Sequence, residues 1–285
     1  MTSALETMQT LPQFADYVRI LPEIVLSVFG MIIMLLDPIM DERRSQRTLG
    51  GIALIGAIAA LAATIYQAQP QFWGLAFWEM VRVDAFSIFF HFVVAAVTIL
   101  VILSSYEYME VQQIRAGEYY GLILFGAVGM ALMSSAVELV LIFIALEISS
   151  ISTYILAGFR RRSAISSEAS VKYFLLGSFA TAFFLYGVAL MFGATGSTSM
   201  EIISAALRPY VQTGHGPLLA YLGVALMLWV SGSRSPQLHF TFGHRMSTKG
   251  RLHRSWDSCP PRRKQQFSRF FFASCFKRKP RAASG

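Results

Sequence analysis

The sequence has 285 residues, of which 55% are hydrophobic and only 14% are charged, and this composition excludes an ordinary water-soluble domain. Its mean hydropathy of +0.53 and its apolar runs of about 20 residues, enough to cross ~30 Å of hydrocarbon, predict an all-α polytopic transmembrane helix bundle. The formal net charge of +8 is unevenly distributed, because residues 231–285 contain 13 of the 24 Lys and Arg residues and one acid. We therefore predict a transmembrane bundle over 1–230 and a basic, disordered tail over 231–285.

About seven spans are expected in chain order. They are Leu21–Leu36, Gly50–Tyr66, Ala85–Ser104, Gly121–Val137, Leu139–Phe159, Ala169–Phe192 and Pro217–Val230. Asp84 fits the N-cap of the third span. The Trp-containing segment Gln67–Val83 is typical of an interfacial loop, and the Gly/Ser/Thr-rich segment Gly193–Gly216 predicts another loop. The N-terminal segment lacks a basic n-region and a cleavage site, so no cleaved signal peptide is expected.

Arginine counts predict how the spans are oriented. The loops after spans 1, 3 and 5 hold seven arginines, whereas the N-terminal segment and the loops after spans 2 and 6 hold three. Loops rich in Lys and Arg stay on the cytoplasmic side of a membrane. The N-terminus is therefore expected outside and Arg160–Arg162 in the cytoplasm.

Two isolated charges stand inside the hydrophobic runs. Glu147 lies in the middle of span 5, and Lys172, the only lysine in the first 230 residues, lies near the start of span 6. Each charge costs ~2.5–3.5 kcal/mol on insertion scales, and such residues usually mark paths for ions or protons. A carboxylate responds to a nearby cation, and Lys172 on an adjacent antiparallel helix is the natural cation. We predict that this pair serves proton translocation.

Structural explanations remain open for each candidate. Glu147 could be protonated and packed against a partner, and Lys172 could extend its ammonium toward the cytoplasmic face. The hydroxyls of Ser149, Ser150, Ser152 and Thr153 are expected to bond between helices or to hold water. For His91 we favour a packed or hydrogen-bonded ring over a proton carrier. Glu138 is expected to be an acid favoured by the helix dipole.

Motifs for other chemistry are missing from the sequence. It has no GxGxxG, no Walker loop and no Cys/His cluster with metal-ligand spacing, and both cysteines fall in the tail. We therefore expect no redox cofactor and no metal in this chain, and no nucleic-acid site in the basic tail.

Three stretches resemble a known family. D-A-F-S-I-F-F (84–90), E-L-V-L-I-F-I-A-L-E-I-S-S-I-S-T-Y-I-L-A-G-F (138–159) and E-A-S-V-K-Y-F-L-L-G-S-F-A-T-A-F (168–183) are similar to subunit N of bacterial NADH-quinone oxidoreductase, respiratory complex I. The resemblance covers about residues 20–230. It implies an antiporter-like, proton-translocating subunit of the bacterial inner membrane, in which Glu147 and Lys172 match the glutamate and lysine of the first half-channel.

The resemblance also implies partners and cofactors. The partners are the lipid bilayer and the other membrane subunits of the complex. NADH, FMN, iron–sulfur clusters and quinone belong to other subunits, so that this chain would be part of a translocase without holding a redox centre. Two alternatives stay open, namely a subunit of a multi-subunit cation/proton antiporter and a truncated remnant that inserts but transports nothing.

The family pattern breaks off after span 7. There the family has a lysine and P-F-H-x-W-T-P-D-V-Y-E-G, whereas this chain has S-G-S-R-S-P-Q-L-H-F and a basic end. Back-translation with a one-base offset restores F-K-V from Gly232–Ser235 and a second family-like run from Trp256–Phe276. We interpret the tail as the product of a frameshift that truncates the antiporter-like bundle and removes its later lysines. A genuine basic tail at the membrane surface is the alternative.

Overall fold

The computed structural model describes residues 14–40, 42–112, 116–159, 164–213 and 216–233. The chain divides into two units, Met1–Gly232 and Ser233–Gly285, and only Ser233 of the second is described. The predictions for the tail and for Arg160–Arg162 lie outside these residues. The rest of this subsection concerns the first unit.

Nine α-helices make up most of the described part of the chain. They are α1 Phe14–Arg19, α2 Leu21–Leu36, α3 Glu42–Gln67, α4 Ala85–Gln112, α5 Ala116–Ser135, α6 Leu139–Ala157, α7 Ala164–Thr195, α8 Met200–Thr213 and α9 Leu218–Ser233. A 3-10 helix at Pro70–Phe72 and two short strands, β1 Gly74–Ala76 and β2 Val81–Val83, separate α3 from α4. The all-α membrane fold is therefore confirmed.

The helices differ in whether they are long enough to cross a membrane. Five helices, α3 to α7, each contain an apolar stretch of 19 to 30 residues that can span a bilayer. The apolar helices α2 and α9 have 16 residues each, which is ~24 Å at 1.5 Å per residue and less than the ~30 Å of hydrocarbon. The seven predicted spans thus correspond to five helices that are long enough to cross a membrane and to two shorter apolar helices, α2 and α9.

Small residues allow α2 to α5 to pack closely. Ala53, Ala57 and Ala60 repeat along one face of α3 and are fully buried. They pack with Leu26, Ile33, Ile102 and Leu124 in one hydrophobic cluster. Lipid gives no hydrophobic drive for helix association, so close backbone approach at such residues stabilises the bundle. A second cluster joins α6, α7, α8 and α9 around Phe184 and Met191.

The segment Gln67–Val83 is more ordered than the predicted loop. β1 and β2 pair antiparallel, with Leu75 opposite Arg82, and the residues between them include Phe77, Trp78 and Glu79 at positive φ. The hairpin joins the α5–α6 connection, because the Val137 amide donates to the Met80 carbonyl at 2.8 Å. This hairpin covers the end of the bundle where α2, α4 and α6 begin.

The predicted loop over Gly193–Gly216 is wrong for its central part, where α8 forms. Glycine, serine and threonine dominate only the first residues of the segment. Farther on, Ile203 and Leu207 fall one turn apart and pack into the second hydrophobic cluster, and this burial stabilises a 14-residue helix that is too short to span a membrane. Asp84, by contrast, acts as predicted, since its Oδ1 accepts a hydrogen bond from the Ser87 amide at 2.9 Å.

Candidate proton-transfer site

Glu147 lies near the middle of α6, eight residues after Leu139 in a helix of 19 residues. Its Oε1 atom is buried. The expected mid-helix position of this acid is therefore found. The neighbouring helix α5 packs tightly against α6 at this level, because a Cβ atom added at Gly129 would lie 2.6 Å from both the Ala145 carbonyl oxygen and the Ser149 nitrogen.

The hydroxyls that follow Glu147 bond within their own helix. Ser152 Oγ donates to the Ile148 carbonyl at 2.9 Å, and Thr153 Oγ1 donates to the Ser150 carbonyl at 2.8 Å. The expectation of bonds between helices is wrong for these two hydroxyls. Between α6 and α7 the donor comes from α7, as Ser170 Oγ donates to the Tyr154 carbonyl at 3.1 Å.

Aromatic pairs define how α6 and α7 are aligned. The rings of Phe143 and Phe184 have centroids 6.4 Å apart, and those of Tyr154 and Tyr173 are 4.8 Å apart. The two helices are therefore antiparallel neighbours, as predicted. Lys172 adjoins Tyr173, which is level with Tyr154. Glu147 and Lys172 are thus offset by about 12 Å along the helix axis, at 1.5 Å per residue.

Lys172 lies near the start of α7 and has a partner that the sequence analysis did not consider. Its Nζ atom is 2.6 Å from Oε1 of Glu168, four residues earlier on the same helix. Both side chains are exposed in this chain. The Lys172 ammonium is thus directed toward the start of α7, in agreement with the structural alternative in which it extends away from the middle of the membrane. Direct association of Lys172 with Glu147 stays a prediction.

A second buried acid was missed by the sequence analysis. Glu23 in α2 is 5% exposed, and His91 in α4 is 2% exposed. Their Oε1 and Nε2 atoms are 3.2 Å apart. Glu23 follows Pro22 in the first helical turn, where an acid is unremarkable because the helix dipole favours it. The available signal was that Glu23 is the only charged residue within α2.

Glu138 combines the predicted position with a partner in another element. It precedes α6 and makes no side-chain capping bond. Its Oε1 instead accepts a hydrogen bond from Thr198 Oγ1 at 2.8 Å. Glu138 therefore links the start of α6 to the segment before α8.

Comparisons with known proteins show where the chain belongs. Residues 136–242 match the family described as NADH:quinone oxidoreductase/Mrp antiporter, TM. The chain is 58% identical over 219 residues to NADH-quinone oxidoreductase subunit N 2 of Koribacter versatilis, covering 74% of this chain and 44% of that protein. It is 42% identical over 223 residues to subunit N 1 of Solibacter usitatus, covering 76% and 45%. The chain belongs to the subunit N family.

Solved structures agree with this family. The chain is similar to a chain of respiratory complex I from Thermus thermophilus with bound aureothin, with a TM-score of 0.57 and 31% identity over 77% of this chain and 45% of the other. A chain of the archaeal membrane-bound sulfane sulfur reductase shares the fold alone, with a TM-score of 0.63 and 21% identity over 75% and 44% of the two chains. The chain spans less than half the length of these subunit N relatives.

Proposed function

We propose that this chain supplies the first half of a subunit N that couples electron transfer from NADH to quinone to proton translocation. The observation that carries the proposal is Glu147, an acid with a buried oxygen at the centre of an apolar helix, in a chain of this family. The redox reaction itself, with its NADH, FMN, iron–sulfur clusters and quinone, belongs to other subunits.

In the proposed mechanism, the position of the Lys172 charge controls whether Glu147 holds a proton. With its ammonium on Glu168, the positive charge stays at least ~12 Å from the level of Glu147. Movement to ~6 Å would change the interaction between the two charges by at least ~1.4 kcal/mol at an effective dielectric constant of about 20. An energy of that size corresponds to about a tenfold change in an equilibrium constant. Exchange of Lys172 between its two acidic neighbours would therefore load and unload a proton.

Replacing Lys172 by Ala should reduce the number of protons translocated per NADH oxidised several-fold, because the charge that controls Glu147 is lost. The measurement is proton uptake and NADH oxidation in inside-out membrane vesicles of a strain that expresses the variant. Lys172→Arg keeps the positive charge and should retain a larger share of the pumping. Equal pumping by the wild type and Lys172→Ala would leave Lys172 with the structural role alone.

The same proposal covers location and partners. The location is the bacterial inner membrane, with the N-terminus outside, as the arginine distribution favours. Helix α7 leaves Leu175 and Phe179 about 60% exposed, and such an apolar face would contact lipid or other membrane helices. Other membrane subunits of the complex are the proposed protein partners.

Genetic observations would distinguish two alternative functions from the proposed one. A subunit of a multi-subunit cation/proton antiporter is favoured by the family description, which names the Mrp antiporter as well, and neighbouring genes would separate the two. A remnant that does not transport is favoured by the break in the family pattern after Val230, which removes the later lysines. Deletion of this gene should abolish NADH-driven proton translocation if our proposal holds, and should leave it unchanged if the chain is a remnant.

For the tail we propose a frameshift origin, which rests on the charge boundary and on the offset reading of residues 232–276. We expect that reading the DNA across codons 225–240 again will reveal an added or missing base relative to intact subunit N genes. An uninterrupted frame whose codons do not encode family-like residues at either offset would contradict this origin and favour a genuine basic tail.

A further inference from the structure

A buried polar cluster lies at the hairpin-covered end of the bundle, in a part of the chain that the proposed mechanism does not use. It consists of Glu23 on α2, Gln67 at the end of α3 and His91 on α4, all of them buried. These three residues come from three separate helices. Burial of polar groups is costly unless they are hydrogen-bonded. The donor and acceptor contacts within the cluster therefore identify which of its atoms carry a hydrogen.

The orientation of the Gln67 amide can be assigned first. Its Nε2 donates to the carbonyl oxygen of Arg19, which can only accept. The Gln67 Oε1 atom is therefore the one that faces His91, at 3.2 Å from Nδ1. Because Oε1 is an acceptor only, Nδ1 must carry a hydrogen.

The other ring nitrogen also faces acceptors. His91 Nε2 is 3.1 Å from the Ala131 carbonyl oxygen and 3.2 Å from Glu23 Oε1. A carbonyl oxygen cannot donate, so Nε2 carries a hydrogen as well. His91 is thus an imidazolium, and the adjoining Glu23 is the carboxylate that balances its charge.

The His91 imidazolium and the Glu23 carboxylate differ in how many hydrogen bonds stabilise them. The imidazolium donates to two neutral acceptors in addition to Glu23. Glu23, by contrast, has only the ion pair with His91: apart from that contact, neither of its oxygens accepts a hydrogen bond from a described residue, although both are buried. A carboxylate with one partner is the less stable member of the pair in a medium of low dielectric constant, because the imidazolium has three. A proton arriving at the cluster would therefore be held by Glu23, while His91 keeps its charge.

The cluster has a short polar connection to the surface. Gln67 reaches the backbone of Arg19, and the Arg19 side chain pairs with Asp16 at 2.9 Å where both are partly exposed. Asp84, before the same helix as His91, bonds to Ser87. The other charged residues of α3, α4 and α5 all fall in the halves of these helices that lie farther along the chain from Gln67, His91 and Ala131. They are Glu42, Arg43, Arg44, Arg47, Glu107, Glu110 and Glu118. The aqueous phase at the hairpin-covered end is thus the nearest proton source.

We propose that Glu23, Gln67 and His91 form a proton-storage site, separate from Glu147 and Lys172. In its unloaded state the site holds a carboxylate and an imidazolium and has no net charge. One proton taken from the aqueous phase converts the carboxylate to a carboxylic acid, and the site then carries one positive charge. Release of that proton restores the first state.

Helix α5 separates this site from the turn that carries Glu147. On α5, Ala131 accepts the bond from His91, and Gly129 contacts the backbone around Ala145–Ser149 on α6. Residues two apart on a helix face nearly opposite directions. The two acidic sites therefore lie on opposite sides of one helix, and packed helix axes are ~8–10 Å apart. A charge gained at Glu23 would be felt electrostatically near Glu147.

The test uses the full chain in lipid vesicles and two spectroscopic measurements. In nitrogen-15 NMR at pH 7, the resonances that vanish in His91→Gln should be those of a doubly protonated ring. In infrared difference spectra between pH 8 and pH 5, a protonated-carboxyl band with the amplitude of one residue should appear. That band should be absent from Glu23→Gln.

Glu138→Gln is the matched control, because Glu138 lies at the same end of the bundle and bonds to Thr198. It should leave the Glu23 band intact. A neutral His91 ring at pH 7 would overturn the assignment of charges. A carboxyl difference spectrum that is the same with and without Glu23 would overturn proton storage and reduce the cluster to a permanent ion pair. Neither result depends on whether the chain works in complex I.

Discussion

Replacement of Glu147 by Gln is expected to lower NADH-driven proton translocation to about a tenth of the wild-type rate or less. Glutamine keeps the size and the hydrogen-bonding capacity of the side chain but cannot release a proton. A tenfold loss corresponds to ~1.4 kcal/mol in the barrier of the affected step. The measurement is the initial rate of proton uptake by inside-out vesicles, normalised to the amount of assembled complex.

The control is Glu201→Gln, the same substitution in a residue that pairs with Arg82 and is half-exposed outside the long apolar helices. It should leave pumping within about twofold of the wild type, because the energies of exposed ion pairs are usually below ~1 kcal/mol. If Glu147→Gln pumps as well as this control, Glu147 is a packed, permanently protonated acid and the proposed function loses its central residue.

The second large effect is expected from Gly129→Ala. The added Cβ would lie 2.6 Å from two backbone atoms of α6, and neither can move without shifting the helix. Overpacking of this kind typically costs ~1–3 kcal/mol. We expect a lower midpoint of thermal denaturation for the full chain in lipid, together with weaker pumping, since α6 carries Glu147.

Gly126→Ala, one turn earlier on α5, provides the comparison. There the new Cβ would lie 3.6 Å from Ser152 Cβ, which is an ordinary contact. Replacing Gly by Ala also lowers the conformational entropy of the unfolded chain, which stabilises the folded state by a fraction of a kcal/mol. This variant should be as stable as the wild type or slightly more so. Equal denaturation midpoints for the two variants would show that α5 and α6 do not approach as closely as the structure has them.

Apolar runs with clear ends could be predicted closely from the sequence. Span 1 matches α2 at both ends, and α6 begins at the predicted Leu139 and ends two residues early. Long hydrophobic stretches must form helices in lipid, where the backbone has no other hydrogen-bond partners. Because both ends of α6 were predicted to within two residues, the position of Glu147 near the middle of this helix was predicted as well.

Features that depend on contacts distant in sequence were less accessible. The helix α8 needs its packing on the second hydrophobic cluster around Ile203, and the Gly74–Val83 hairpin needs its bond from Val137. Glu23 looked like an ordinary first-turn acid until His91 from another helix was placed beside it. Glu168 was overlooked beside Lys172, although the spacing of four residues on one helix favours such a pair.

The central claim is that Glu147 gains and loses a proton while the complex works. The most direct measurement is an infrared difference spectrum of the membrane-embedded complex, recorded before and after NADH is added. We expect a carboxyl band whose intensity changes on addition of NADH and which is missing in Glu147→Gln but present in Glu201→Gln. Identical difference spectra for the wild type and Glu147→Gln, recorded during full turnover, would contradict the claim.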